Sequence, residues 1–254
     1  MPISFQARPA LVAYITCGDP DLAASRDIAL AAIDSGASMI ELGVPFSDPV
    51  ADGPVIQRAS QRALQHGTSI AQVIALGKEI RRQSQAGLTI FSYLNPILRM
   101  GLEHFAAAIK DAGIDGSLIT DLPVEEAGDY LREMRQRDLA TIFLVAPTST
   151  DERLKRIAEV SRGFVYAVSR TGVTGARQEM AEDARKLVRR VRRFTQLPVA
   201  IGFGISTAAQ FAAAGEFADA VVVGSAIVQV IEDNPGREAE SVAEFVRQLL
   251  VDGR

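Results

Sequence analysis

The chain has 254 residues, 48% of them apolar and 23% charged, with a net charge of -4. That is an ordinary composition for a globular enzyme, and the acidic balance argues against a nucleic-acid surface. The single cysteine, Cys17, excludes an internal disulfide framework, and no run of roughly 18 apolar residues suggests a membrane span. The opening M-P-I-S-F-Q-A-R-P has no secretory apolar core, so the cytoplasm is the expected compartment.

In chain order, the apolar run 10–15 predicts a first strand, followed by the turn T-C-G-D-P. Helical spacing covers 22–35, with Gly36 as its stop. A second buried strand is expected at 39–42, where an apolar run meets the acid Glu41, and it opens into the loop G-V-P-F-S-D-P-V-A-D-G-P, which Pro45, Pro49 and Pro54 stiffen. Helices are expected over 55–65 and 70–83, a strand over 88–93 and a turn at Asn95-Pro96. A helix over 103–112, a strand over 116–119 and a charged helix over 125–137 follow.

The second half repeats the alternation. Strands are expected at 140–145, 163–168, 198–201 and 219–223, with helices at 151–160, 180–194, 207–214, 226–232 and 239–251. Eight apolar strands alternating with helices, one unit about every 30 residues, predict a parallel sheet with helical crossovers. In this length the pattern fits a single (β/α)8 barrel domain over residues 1–254.

In such a barrel the loops after the strands gather at one face and hold the site. Glu41 leaves strand two there. A carboxylate at the end of a buried strand is costly unless paired, hydrogen-bonded or protonated, which makes it a candidate for proton chemistry; capping a neighbouring amide or pairing with an arginine is the alternative. Asp52 sits in A-D-G, which is also a common turn. Together the two acids can serve as proton donor and acceptor on opposite sides of a substrate.

The exits G-F-G-I-S and V-G-S-A each run into a helix; a glycine there either only makes the turn or lets the backbone approach an anion, and the two together favour a phosphate site. The glycine-rich stretch 172–175 is placed to close as a lid. Tyr14, Tyr93 and Tyr166 occupy or border strand exits, as pocket walls or as core. His66 and His104 lie far apart, so no metal site is expected. Lys78, Lys110, Lys155 and Lys186 fall in helical segments, which disfavours a Schiff base.

The stretch E-L-G-V-P-F-S-D-P-V-A-D-G-P-V-I-Q-R-A closely resembles the signature of the tryptophan synthase α subunit family. Y-I-T-C-G-D-P, S-Y-L-N-P-I, D-L-P-V-E-E, F-L-V-A-P-T, Y-A-V-S-R-T-G-V-T-G, G-F-G-I-S and V-V-G-S-A-I-V extend the resemblance along almost the whole chain. Departures are Val50, where leucine is common, and few residues for the helix that often precedes the family's first strand.

The resemblance implies cleavage of indole-3-glycerol phosphate to indole and glyceraldehyde 3-phosphate, with no cofactor or metal in this subunit. Glu41 would shuttle protons, Asp52 would hold the indole N–H, and Tyr166 would orient the pair. Gly175, Gly204, Gly224 and Ser225 would bind the phosphate, Tyr14 and Tyr93 would line the indole pocket, and Asp48 would signal to the partner. That partner would be a β subunit carrying PLP, in an α2β2 assembly. Among rivals, an indole-glycerol-phosphate synthase wants a lysine at a strand exit and a phosphopentose epimerase wants metal-binding histidines. A non-catalytic barrel binding indole or phosphate as a scaffold stays open.

Overall fold

In the computed structural model, β1 (Ala10–Thr16), β2 (Met39–Gly43), β3 (Gly87–Ser92), β4 (Gly116–Ile119), β5 (Ala140–Val145), β6 (Val165–Val168), β7 (Val199–Gly202) and β8 (Ala220–Val223) close into a barrel in sequence order. The structure describes residues 3, 5, 7–168, 177–202 and 204–251, except for the side chains of 177–181. All eight strand pairings are parallel, the last joining β8 to β1. The (β/α)8 architecture predicted from the alternation is therefore present.

Each strand is apolar on both faces because each is buried on both faces. In β1, Leu11, Ala13 and Ile15 face the surrounding helices, while Ala10 and Val12 pack in the barrel interior with Met39, Leu118, Ile142, Phe164 and Ala200. The interior is thus a second apolar core, not a channel. At its lower end Ile3 and Phe5 pack against this core, the Phe5 ring lying 5.6 Å from that of Phe164. These two side chains cover the bottom of the barrel.

Two expectations need correction. Asn95-Pro96, expected as a turn, lies inside the helix Leu94–Met100. Proline is tolerated there because it sits in the first turn, where its missing N–H leaves no helical bond unmade. The Leu94 amide is satisfied by Asp121 Oδ1 at 2.7 Å, and Gly101, at φ 89°, ends the helix. The helix expected from residue 125 runs Gly128–Gln136, because residues 123–126 form a turn closed by the Glu126 amide on the Pro123 carbonyl at 3.0 Å.

Candidate active site

Glu41 reaches the site because β2 alternates. Ile40 and Leu42 point outward into the helix-facing core, and Glu41 points inward, with Tyr14 of β1 and Thr89 of β3 as its register partners. Its exposure is 1%. Neither carboxyl oxygen has a hydrogen-bond partner among the described residues, so the arginine pairing held open from the sequence is absent there. Burial alone pushes its pKa up to about 8, because the charged form is the one that loses water. Glu41 therefore carries its proton at neutral pH.

Asp52 is positioned by the loop between β2 and the helix Pro54–Gln65. The Val44 amide bonds the Phe91 carbonyl at 2.9 Å, and the Asp52 amide bonds the Pro49 carbonyl at 3.0 Å. Tyr93 anchors the middle: its hydroxyl accepts from the Ala51 amide at 2.9 Å and donates to Asp52 Oδ2 at 3.2 Å. Phe46 stacks on the Tyr93 ring at 5.0 Å. Burial raises Asp52 to about 6, against the lowering effect of the Tyr93 hydrogen bond. Near pH 7 the two acids thus differ in charge, Glu41 protonated and Asp52 mainly ionised. Asp48 lies on the exposed side of the same loop, where its Oδ2 accepts from Ser47 Oγ at 2.6 Å. Its neighbour Val50 is 86% exposed.

A cavity of about 390 Å³ opens above Glu41, with Tyr14, Tyr166 and Phe91 among its walls. Two strand glycines make room for the phenols. A Cβ at Gly43 would lie 2.4 Å from Tyr14 Oη, and one at Gly202 would lie 2.2 Å from Tyr166 Oη. Tyr14 meets Phe91 edge-on with ring centroids 5.1 Å apart. Burial, reinforced by the nearby Glu41, holds the Tyr166 hydroxyl well above its usual pKa, so it remains a donor.

The opposite end of the cavity is built from backbone. Gly204, Ile205 and Ser206 follow β7, and Gly224, Ser225 and Ala226 follow β8. The helix Ser225–Asp233 starts at Gly224 without a side-chain cap, and its first residues Ser225 and Ala226 line the cavity end. The helix Ala208–Gly215 differs, since Thr207 and Gln210 form a capping box that satisfies its start. No lysine, arginine or histidine lines the cavity among the described residues. An anion there would rest on N–H groups and the helix dipole.

The structure brings together Tyr14, Glu41, Tyr166, Gly204, Gly224 and Ser225 around one cavity. Tyr93 differs from its expectation as a pocket wall: it sits beneath the loop, bonded to Asp52, because its ring is held by Phe46. Gly175 and the expected lid 172–175 lie outside the described residues. Cys17 is buried, and burial raises its thiol pKa, consistent with an inert side chain. Sequence reasoning missed Phe91, Ile56 and Gln229 as cavity walls. Phe91 was detectable, since it lies two residues beyond Thr89 on the inward face of β3.

The profile of the tryptophan synthase alpha chain family matches residues 3–251. The tryptophan synthase alpha chain of Solibacter usitatus is 50% identical over 95% of this chain and 91% of its own length. That of Geotalea daltonii is 46% identical over 97% and 93%. Among solved structures, Mycobacterium tuberculosis tryptophan synthase superposes with a TM-score of 0.89 at 38% identity, covering 97% of this chain and 93% of that one. A tryptophan synthase complex from Pyrococcus furiosus gives 0.88 at 39% identity, covering 96% and 98%.

Proposed function

The chain belongs to the tryptophan synthase alpha chain family, lyases that cleave indole-3-glycerol phosphate to indole and glyceraldehyde 3-phosphate, and from that premise we propose how its residues divide the work. The carrying observation is the opposite protonation of two acids, Glu41 in the cavity wall and Asp52 on the loop near enough to act on the wall residue Tyr14, with uncapped amides at the other end of the cavity.

Glu41, protonated, gives its proton to C3 of the indole ring. Asp52, ionised, accepts a hydrogen bond from the ring N–H and stabilises the positive charge that protonation creates. The C–C bond to the glycerol carbon then breaks, and its electron pair restores the aromatic ring. The glycerol hydroxyl becomes the aldehyde and its proton returns to Glu41, so the acid is regenerated and no proton is consumed. Each step balances on this chain's own carboxylates, without a cofactor from this subunit.

Tyr14 and Phe91 form the wall for the indole ring, Tyr166 orients Glu41, and Tyr93 holds Asp52. Gly204, Gly224, Ser225 and, outside the described residues, Gly175 bind the phosphate through backbone groups. We read residues 1–254 as one domain working in the cytoplasm. The similarity to chains of solved tryptophan synthases, one of them a complex, supports a β partner. The finer reading is an α2β2 assembly in which the partner holds PLP and consumes indole, and Asp48 on the exposed loop signals to it.

The test is indole release from indole-3-glycerol phosphate by the purified chain, alone and with a β subunit. Slow release that rises sharply with partner is expected, and Glu41→Gln or Asp52→Asn should lower turnover by at least ~10²-fold. Wild-type-like rates in both variants would remove the mechanism, and no indole under either condition would favour the scaffold reading.

A further inference from the structure

One polar side chain in the barrel interior has no task in the scheme above. β3 sends Leu88 and Ile90 outward into the helix-facing core and Thr89 and Phe91 inward. Thr89 is fully buried and is the register partner of Glu41. Among the described residues, the buried side-chain oxygens and nitrogens without a hydrogen-bond partner are three: Thr89 Oγ1 and the two carboxyl oxygens of Glu41. All three belong to two residues facing the same interior from adjacent strands. Native interiors satisfy such groups, commonly with an ordered water making two to four hydrogen bonds. Met39 and Leu118 in the interior core offer no polar group, and the Tyr166 hydroxyl is the other donor of that core near Glu41.

We propose that Thr89 is a positioning residue for Glu41: its hydroxyl, through one water molecule, clamps one carboxyl oxygen and leaves the other to meet the substrate. The inference rests on Glu41 carrying the proton chemistry. A carboxyl group turns easily about its last bond, so an unclamped acid presents either oxygen in many orientations. Glu41 must give a proton to a ring carbon and recover one from a hydroxyl, and both transfers need the same oxygen aimed at the substrate.

The clamp also bears on charge. Tyr14 faces Glu41 from β1 and Tyr166 from β6, and Asp52 acts on Tyr14 from the loop. No cation lines the cavity among the described residues, so the groups there that can stabilise the carboxylate formed midway through the reaction are neutral donors. Thr89 and its water belong to that small set.

The experiment compares kcat, KM and pH profile for Thr89→Val, Thr89→Ala and Thr89→Ser in the α–β complex, with Glu41→Gln as reference. Valine keeps the shape and loses the hydroxyl; serine keeps the hydroxyl. Thr89→Val and Thr89→Ala should lose about ten- to hundredfold in kcat with KM unchanged. Their basic limb should move to higher pH by about one pH unit, because the charged acid has lost a donor. Thr89→Ser should keep both the wild-type rate and the limb. A crystal structure should show a water within hydrogen-bond distance of both side chains.

Wild-type kcat and limb in whichever of the valine and alanine variants folds would overturn the clamp, as would a crystal structure without that water. If Glu41→Gln is inactive while those variants are wild-type-like, only the clamp falls. If Glu41→Gln is active, the reading of Glu41 falls with it.

Discussion

Glu41 is stable in its place only as a neutral acid, and that carries a thermodynamic signature. Its pKa is 4.5 in the unfolded chain and about 8 in the folded one. Below about pH 4.5 both states hold the proton and the native state keeps its full stability. Between about 4.5 and 8 the folded state retains a proton that the unfolded state has released, so stability falls as pH rises, by about 1.4 kcal/mol per pH unit. Glu41→Gln removes this loss. Its thermal midpoint should match the wild type near pH 4.5 and exceed it by a widening margin up to about pH 8, as followed by calorimetry. A margin that does not change with pH would show that Glu41 is not held neutral. The importance of this residue was legible because an acid closes an apolar run. Its isolation was not, because only the closed barrel shows that no arginine among the described residues reaches it.

The loop bearing Asp52 is held by a residue of the next strand exit. Tyr93→Phe keeps the ring that stacks on Phe46 but removes the hydroxyl bonded to the Ala51 amide and Asp52 Oδ2. The Asp52 carboxylate then loses a donor and holds its proton more tightly. A roughly tenfold lower kcat at neutral pH is expected, with partial recovery as pH rises. Steady-state kinetics that leave kcat unchanged would show that the loop holds its shape without Tyr93. Strand and helix positions were read closely from hydrophobic period, and Asp151–Val160 matches the expected helix end to end. Leu94–Met100 was misread because Asn-Pro is a turn signal locally, while the cap that permits a helix comes from Asp121, 27 residues along the chain. A tyrosine at a strand exit looks the same whether it walls a pocket or ties a loop; the stacking of Phe46 decides it.

Closure of the barrel was legible from eight alternating units, since only closure buries eight apolar strands on both faces without an exposed edge. The plug formed by Ile3 and Phe5 was not, because isolated side chains in an irregular segment have no period to read. At this scale the exposed loop matters too. If Asp48 signals to a partner, Asp48→Ala should lose partner-stimulated indole release while binding of a substrate analogue stays unchanged; unaltered stimulation would count against that role.

The opposite protonation of Glu41 and Asp52 is tested most directly by the pH dependence of kcat/KM for indole release. The acid limb is shared with the substrate, whose phosphate takes up a proton near pH 6, so the basic limb decides. Activity that falls as pH rises through about 8 is the expected result, because the proton that Glu41 must deliver is lost there. Activity still rising past about pH 9 would mean that Glu41 does not begin the reaction as an acid, and would contradict the proton assignment.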